Sequence, residues 1–191
     1  MSNSDYHKYL TPEYLKHIFL DFMQMSEFTK NPIVMKKAYG VWYEDVNGKK
    51  YMDGISGIFV VNVGHGNRRV IEAMKRQLEE ICFAPPLHST NIEALELARL
   101  ISEITPGDLK TVKLLSGGSE ATEAAMKLAR QYHKQTSNPT KYKVLSRYES
   151  YHGATLGALA ATGVTKRKSA FEPLPAGYVH FFPPTCFRCP Y

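Results

Sequence analysis

Cysteine is scarce in this sequence: Cys82, Cys186 and Cys189 are the only three in 191 residues. An odd, low count in a chain this long excludes a disulfide-stapled secreted scaffold. Long apolar runs are missing too. Uncharged stretches such as residues 54–67 and 150–165 fall short of the ~18 apolar residues of a membrane span and are rich in Gly, Thr, Asn or His. The start, Met-Ser-Asn-Ser-Asp-Tyr-His-Lys, has no basic segment leading into an apolar one, so no leader is expected and the expected location is cytoplasmic. No internal repeat and no low-complexity run is visible. Nor is there a long block of one charge: 24 Lys and Arg against 18 Asp and Glu give +6, and the tightest basic groups are Lys36-Lys37, Lys49-Lys50, Arg68-Arg69 and Lys166-Arg167-Lys168. Scattered groups read as solvated surface, so neither nucleic acid nor a membrane is an expected partner.

What is present is an ordinary globular balance, 43% hydrophobic and 22% charged, which excludes disordered and collagen-like chains. Thr11-Pro12 predicts a helix start, with Tyr14, Leu15, Ile18 and Phe19 at helical spacing. Residues 39–44 and 50–53 flank Asn47-Gly48, a hairpin signal. Asn67 is expected to cap a helix with the stripe Val70, Ile71, Met74, Leu78 and Ile81. Asn91 is expected to cap another, with Ala94, Leu97, Ala98, Ile101 and Ile104 on one face, ended by Pro106-Gly107. The pattern then alternates: strand 111–116, helix 120–135 with Ala121, Ala124, Ala125, Leu128 and Tyr132 inward, strand 143–147, a small-residue helix 154–162, and strand 178–182. Such alternation predicts an α/β fold with a parallel sheet covered by helices. The expected organisation is a small N-terminal α+β segment, residues 1–66, followed by the first part of a larger domain, residues 67–191. Three strands make an unfinished sheet, so the chain is expected to be the front part of a longer protein.

Two places carry chemistry. In Ser116-Gly117-Gly118-Ser119-Glu120-Ala121-Thr122-Glu123 a strand ends, two glycines turn the chain and a helix begins. The first amides of that helix and the Ser119 hydroxyl suit an anion, most naturally a phosphate. The same residues also read as a plain turn with an N-cap, and Glu120 and Glu123 partly oppose an anion. The motif is neither a P-loop nor G-x-G-x-x-G. The second place is Tyr148-Glu149-Ser150-Tyr151-His152-Gly153, directly after the next strand. It sets an aromatic ring, an imidazole and a glycine at the same sheet edge, where a planar ligand could stack; an ordinary rim tyrosine beside a loop histidine is the other reading.

Residues 116–121, the helix ending Lys127-Leu128-Ala129-Arg130, and Tyr151-His152-Gly153 resemble the class III, pyridoxal-phosphate-dependent aminotransferases. Asp53-Gly54-Ile55-Ser56-Gly57, Asn62-Val63-Gly64-His65-Gly66, the helix 70–80 and Glu96-Leu97-Ala98 are similar to the same family in the same order. The resemblance implies a fold-type-I transferase fold and pyridoxal 5'-phosphate as cofactor. It also implies transfer of an amino group from a small-molecule donor to a 2-oxo acid, in a homodimer. It assigns cofactor binding to Gly118, Ser119, Glu120, Tyr151, His152 and Gly153, with Gly118-Ser119 on the phosphate and Tyr151 on the ring. Phe59 falls on the substrate side, where relatives often carry Trp, and residues 83–90 match the segment that reaches the neighbouring subunit.

The family's Schiff-base lysine and pyridinium aspartate match nothing in these 191 residues; Lys127 and Lys166 have no family counterpart. No catalytic residue is therefore assigned, and the chain alone is expected to be inactive. Cys186-x-x-Cys189 lacks a second pair for zinc, so no metal is expected. Pro183-Pro184-Thr185-Cys186-Phe187-Arg188-Cys189-Pro190 is similar to a stretch in taurine–pyruvate aminotransferases, which hints at an ω-amino donor. Other fold-type-I activities (decarboxylase, racemase, aminomutase) and a non-catalytic phosphate-ligand-binding domain are the alternatives.

Overall fold

The computed structural model describes residues 3–187 and Cys189. The chain forms two compact units, Met1–Ala84 and Pro85–Tyr191. The sequence-based boundary stands at residue 66; the compact units divide after Ala84, so the helix following Asn67 clusters with the N-terminal unit.

In the N-terminal unit a 3-10 segment, Asn3–Leu10, leads into α1, Pro12–Leu15. Thr11 and Pro12 start α1 as expected, but Ile18 and Phe19 lie beyond its end, and Phe19 is 84% exposed. The Thr11 hydroxyl donates backwards to Lys8 O at 2.7 Å rather than capping the helix, and a helix this short has few bonds with which to propagate. After α2, Met25–Phe28, comes an antiparallel sheet of β1 (Met35–Tyr39), β2 (Trp42–Asp45) and β3 (Lys50–Met52), paired in that order. The expected strand 39–44 is split, because Gly40 (φ 53°) turns the chain between β1 and β2.

The Asn47-Gly48 turn forms as expected. It is closed by buried Asp45, whose Oδ1 accepts from the amides of Asn47 and Lys49, each at 2.9 Å, and whose Oδ2 accepts from the Tyr51 hydroxyl at 3.0 Å. A bulge in β1 between Met35 and Lys37 brings two successive lysines to one carboxylate. Glu44 meets Lys36 at 2.9 Å and Lys37 at 3.2 Å, and the bond from Lys36 above all holds it below the usual carboxylate range.

α3, Ser56–Phe59, is a single left-handed turn; α4 spans Arg68–Glu80. Asn67 caps α4 as expected, accepting from Arg69 N at 3.1 Å and Val70 N at 3.4 Å. Its apolar stripe is not buried in this unit: Val70, Met74 and Leu78 are exposed, and Ile81 lies past the last turn.

In the C-terminal unit α5, Ile92–Ile104, is capped by Asn91, which accepts from Ala94 N at 2.8 Å. Then follow α6 (Gly118–Gln135), β4 (Val144–Arg147), α7 (Leu156–Ala161), α8 (Thr165–Lys168) and β5 (Tyr178–Phe181). β4 and β5 pair in parallel, with Val144 opposite Tyr178 and Arg147 opposite Phe181. Residues 111–116 form no strand, because no ladder partner lies beside them among the described residues. The parallel sheet therefore has two described strands rather than the three expected.

The core of this unit is α7. Ala158, Leu159, Ala160, Ala161 and Thr162 are buried, packed against β4, β5 and α6. Just past its end the approach is closest: a side chain on Gly163 would start 2.1 Å from Arg147 O. α6 turns a different face inward from the one expected. Ala121, Ala125, Leu128 and Tyr132 are exposed, whereas Ser119, Thr122, Glu123, Ala124, Met126 and His133 are half-buried. Arg130 fixes that orientation by donating to Tyr142 O at 2.9 Å and lying over the Tyr178 ring. Among the described residues no helix is long and apolar enough to cross a membrane.

Candidate functional site

The two motifs singled out in the sequence meet in the C-terminal unit. α6 begins after Gly117, so the amides of Gly118, Ser119 and Glu120 have no intrahelical acceptor. The Ser119 hydroxyl oxygen accepts from Ala154 N at 3.0 Å, which leaves its own hydrogen to donate. Gly153 lies against this serine with φ 140°; an added Cβ would stand 2.6 Å from Ser119 Oγ and 2.6 Å from the Ala158 methyl. Glycine is thus required twice over, by backbone conformation and by space. Glu120 folds back over the turn, and its Oε2 accepts from Ser116 N at 3.0 Å.

The loop after β4 is fixed from behind by Thr162, which is fully buried. Its hydroxyl accepts from His152 N at 3.0 Å and lies 3.1 Å from Ala158 O. The Gly163 amide donates to Ser150 O at 2.8 Å. Tyr151 keeps a half-exposed ring with the Arg167 guanidinium 5.1 Å from its centroid. His152 Nε2 is buried and meets no hydrogen-bond partner among the described residues. The structure therefore brings Gly118, Ser119 and Gly153 together, with Glu120 bonded back to Ser116 N and with Tyr151 and His152 on the loop that carries Gly153. Phe59 belongs to the other unit.

Sequence reasoning missed what ties these parts together. Glu123, one turn into α6, caps α7: its Oε1 accepts from the Thr155 hydroxyl, from Gly157 N at 3.1 Å and from Ala158 N at 3.3 Å. The Thr155 bond first, then the two amides and Lys127, hold the carboxyl below its ordinary range. Gly157 leaves room for that carboxylate, whose atoms would lie 3.0 Å from an added Cβ. The available signal was a second acid in the first turns of α6 facing a helix made of small residues.

In the N-terminal unit Asp53 and His65 form the tightest polar pair of the signature segments. His65 Nε2 lies 2.7 Å from Asp53 Oδ2, with both side chains largely buried. Asp53 Oδ1 accepts from Gly57 N at 2.9 Å. The Gly57 amide is the main reason that Asp53 sits below the usual carboxylate range, and His65 adds to it. Tyr43, 4.5 Å from His65 between ring centroids, has its hydroxyl pushed up by burial and by Asp53.

Among the described residues no group of three or more His, Cys, Asp or Glu side chains is placed to hold a metal ion. Cys82, Cys186 and Cys189 are free and exposed. Arg188 and Pro190 of the 183–190 stretch lie outside the described residues.

The family model described as aminotransferase class-III matches residues 24–189. The uncharacterized aminotransferase YhxA of Bacillus subtilis strain 168 is 42% identical over 158 residues, 83% of this chain and 35% of that protein. The omega-aminotransferase of Caulobacter vibrioides is 29% identical over 166 residues, 87% of this chain and 38% of that protein. Among solved structures, a Bacillus anthracis aminotransferase superposes with a TM-score of 0.90 at 36% identity, covering 100% of this chain and 41% of its own. A thermostable (S)-enantioselective omega-transaminase from Thermomicrobium roseum gives 0.89 at 36% identity, over 95% of this chain and 41% of its own. The chain thus spans 35% to 41% of the length of these proteins.

Proposed function

The chain belongs to the class-III aminotransferase family, and from that premise we propose that it is the N-terminal, cofactor-holding part of an enzyme moving an amino group from an amino donor to a 2-oxo acid. The family has the fold-type-I architecture and depends on pyridoxal 5'-phosphate. The observation that carries the reading is the meeting of Ser119 with Gly153 and Ala154 at the start of α6.

The residues fit a phosphate and a ring. The amides of Gly118, Ser119 and Glu120 and the Ser119 hydroxyl hydrogen converge as donors, and Gly153 keeps the space beside them open. The exposed part of the Tyr151 ring offers an apolar face, and His152 supplies a buried nitrogen in need of a partner. When bound, pyridoxal phosphate supplies the aldehyde and the electron-accepting ring. The residues of this chain would bind and orient it: Ser119 and the helix amides would donate hydrogen bonds to the phosphate, and Tyr151 would lie against the ring. Glu123 keeps α7, and with it the 153–155 turn, in register with α6.

No lysine or aspartate here takes the family's catalytic positions, so these 191 residues by themselves do not turn over. Omega-transaminases among the relatives and neighbours support an ω-amino donor. A homodimer in the cytoplasm completes the reading, the resemblance of residues 83–90 to the segment that reaches the neighbouring subunit being what supports the dimer.

The test is made on the full-length protein. It is expected to transfer an amino group from an amine to a 2-oxo acid and to retain pyridoxal phosphate on dialysis. Hydrogen bonds to charged groups contribute about 1.5–3 kcal/mol, so Ser119→Ala is expected to weaken retention about 10- to 100-fold. Unchanged retention would overturn the phosphate assignment, and absence of amino transfer would overturn the activity.

A further inference from the structure

Four consecutive residues of α3 have positive φ: Ser56 at 50°, Gly57 at 58°, Ile58 at 65° and Phe59 at 68°. The turn closes with Phe59 N on Ile55 O at 2.8 Å and Val60 N on Ser56 O at 2.9 Å, the spacing of a helix wound left-handed. L-residues resist this conformation, a β-branched one most of all, and only Gly57 suits it. The side chains of Ile58 and Phe59 are 71% and 76% exposed, so their own burial in this unit does not hold the turn.

Asp53 does. Its Oδ1 takes the Gly57 amide at 2.9 Å and its Oδ2 faces His65 Nε2 at 2.7 Å, with the Tyr43 ring 4.5 Å from the imidazole between centroids. The pin is anchored in turn: His65 and Gly40 exchange backbone bonds of 2.8 and 2.9 Å, which tie the far end of the loop to the sheet. A side chain at Gly57 would start 3.0 Å from Val61 Cγ2 and 3.3 Å from the Tyr43 hydroxyl, so the turn sits directly on this cluster.

We propose that Asp53 is a positioning residue for donor selection: by holding Ser56–Phe59 left-handed, it fixes where the Phe59 ring stands. The proposal rests on the aminotransferase reading, in which Phe59 lies on the substrate side. Strain concentrated in a short exposed turn, and opposed by one buried carboxylate, is a way to set the position of an aromatic ring that its own contacts do not set.

The experiment uses the full-length holoenzyme and compares a small aliphatic amine with a bulky aryl amine as donors. Asp53→Asn and Asp53→Ala are expected to change the ratio of the two kcat/KM values about tenfold, mostly through KM. In a Phe59→Ala background the same substitutions are expected to leave that ratio unmoved. Ile58→Gly, which makes the left-handed turn easy, is expected to restore much of the ratio to Asp53→Asn.

A second readout needs no turnover. Chymotrypsin cuts extended chain after Phe, so cleavage at Phe59 is expected to be slow in the native protein and about tenfold faster in Asp53→Ala, following the loss of local structure. His65→Leu, which leaves the carboxylate but removes its partner, serves if Asp53→Ala does not accumulate. Faster cutting with an unchanged donor ratio would reduce Asp53 to a structural role and overturn the proposal, as would effects that simply add to those of Phe59→Ala. Unchanged cutting would show that Asp53 does not hold the turn. A wild-type protein without amino transfer would overturn the aminotransferase reading and donor selection with it, while the cutting rates would still report on the turn.

Discussion

The Ala154 amide donates to the Ser119 hydroxyl at 3.0 Å, joining positions 35 residues apart in the chain. This bond makes one site of two motifs, since it fixes the start of α6 against the turn that follows Gly153. The pair cannot be loosened from either side without consequence, and the neighbouring glycine is the most sensitive point.

Gly153→Ala is expected to be severe. The new methyl would start 2.6 Å from both Ser119 Oγ and Ala158 Cβ, at a φ of 140° that side chains avoid. Overpacking and the disfavoured backbone together give an expected loss of about 3 kcal/mol or more in unfolding free energy. Urea denaturation of the full-length protein measures it. A loss within about 0.5 kcal/mol, the range of an ordinary surface change, would show that α6 and the 153–155 turn are free to separate.

Glu123 contributes to the acid limb of stability. Its carboxyl is held below the ordinary value, first by Thr155 and then by the Ala158 and Gly157 amides. A lowered folded-state pKa means that the unfolded chain takes up protons first. The contribution is therefore present above about pH 4.3 and is lost as the pH falls through the folded value. Glu123→Gln is expected to flatten the melting-temperature profile below about pH 4.3, leaving the part due to Asp53 and Glu44. Glu123→Ala is expected to cost about 1–2 kcal/mol at neutral pH, as the loss of a helix cap does. Melting curves from pH 3 to 7, roughly the range in which carboxylates titrate, check both; parallel profiles for native and Gln proteins would contradict the capping role.

Tyr151 separates stacking from hydrogen bonding. Tyr151→Phe is expected to keep most of the affinity for pyridoxal phosphate, and Tyr151→Ala to lose about 0.5–1.5 kcal/mol more, within about tenfold. Cofactor titration followed by absorbance provides the measurement. Equal losses in the two variants would assign the contribution to the hydroxyl instead.

Much of this was legible in residue types with a single local meaning. Asn67 and Asn91 announced α4 and α5 because a side-chain oxygen before an apolar stripe has one obvious use. Asn47-Gly48 announced its turn, and Ser116-Gly117-Gly118-Ser119 announced the start of α6. The inward face of α6 was not legible, because alanines occur on both sides and Arg130 decides the matter through Tyr142, twelve residues on. Residues 111–116 have strand chemistry, yet a strand exists only with a partner beside it. The left-handed turn was illegible for another reason: Ser-Gly-Ile-Phe has one glycine, and its conformation is imposed by Asp53 and His65 from outside the segment.

The two sheets differ in how far apart their pairing partners lie. β2 meets β3 across a turn that sets Glu44 opposite Lys50, whereas β4 waits for Tyr178 to face Val144. A hairpin closes in about 1–10 μs, so the N-terminal sheet can be complete while the ribosome is still reading the codons for α6. Translation proceeds at about 5–20 residues per second, so β4 emerges roughly 2–6 s before its parallel partner exists. Through that interval its edge is open, and the small-residue segment that becomes α7 has α6 and β4 to pack on but lacks its cover from β5. The stretch of synthesis between the emergence of Arg147 and that of Phe181 is thus the one in which β4 stands without its partner.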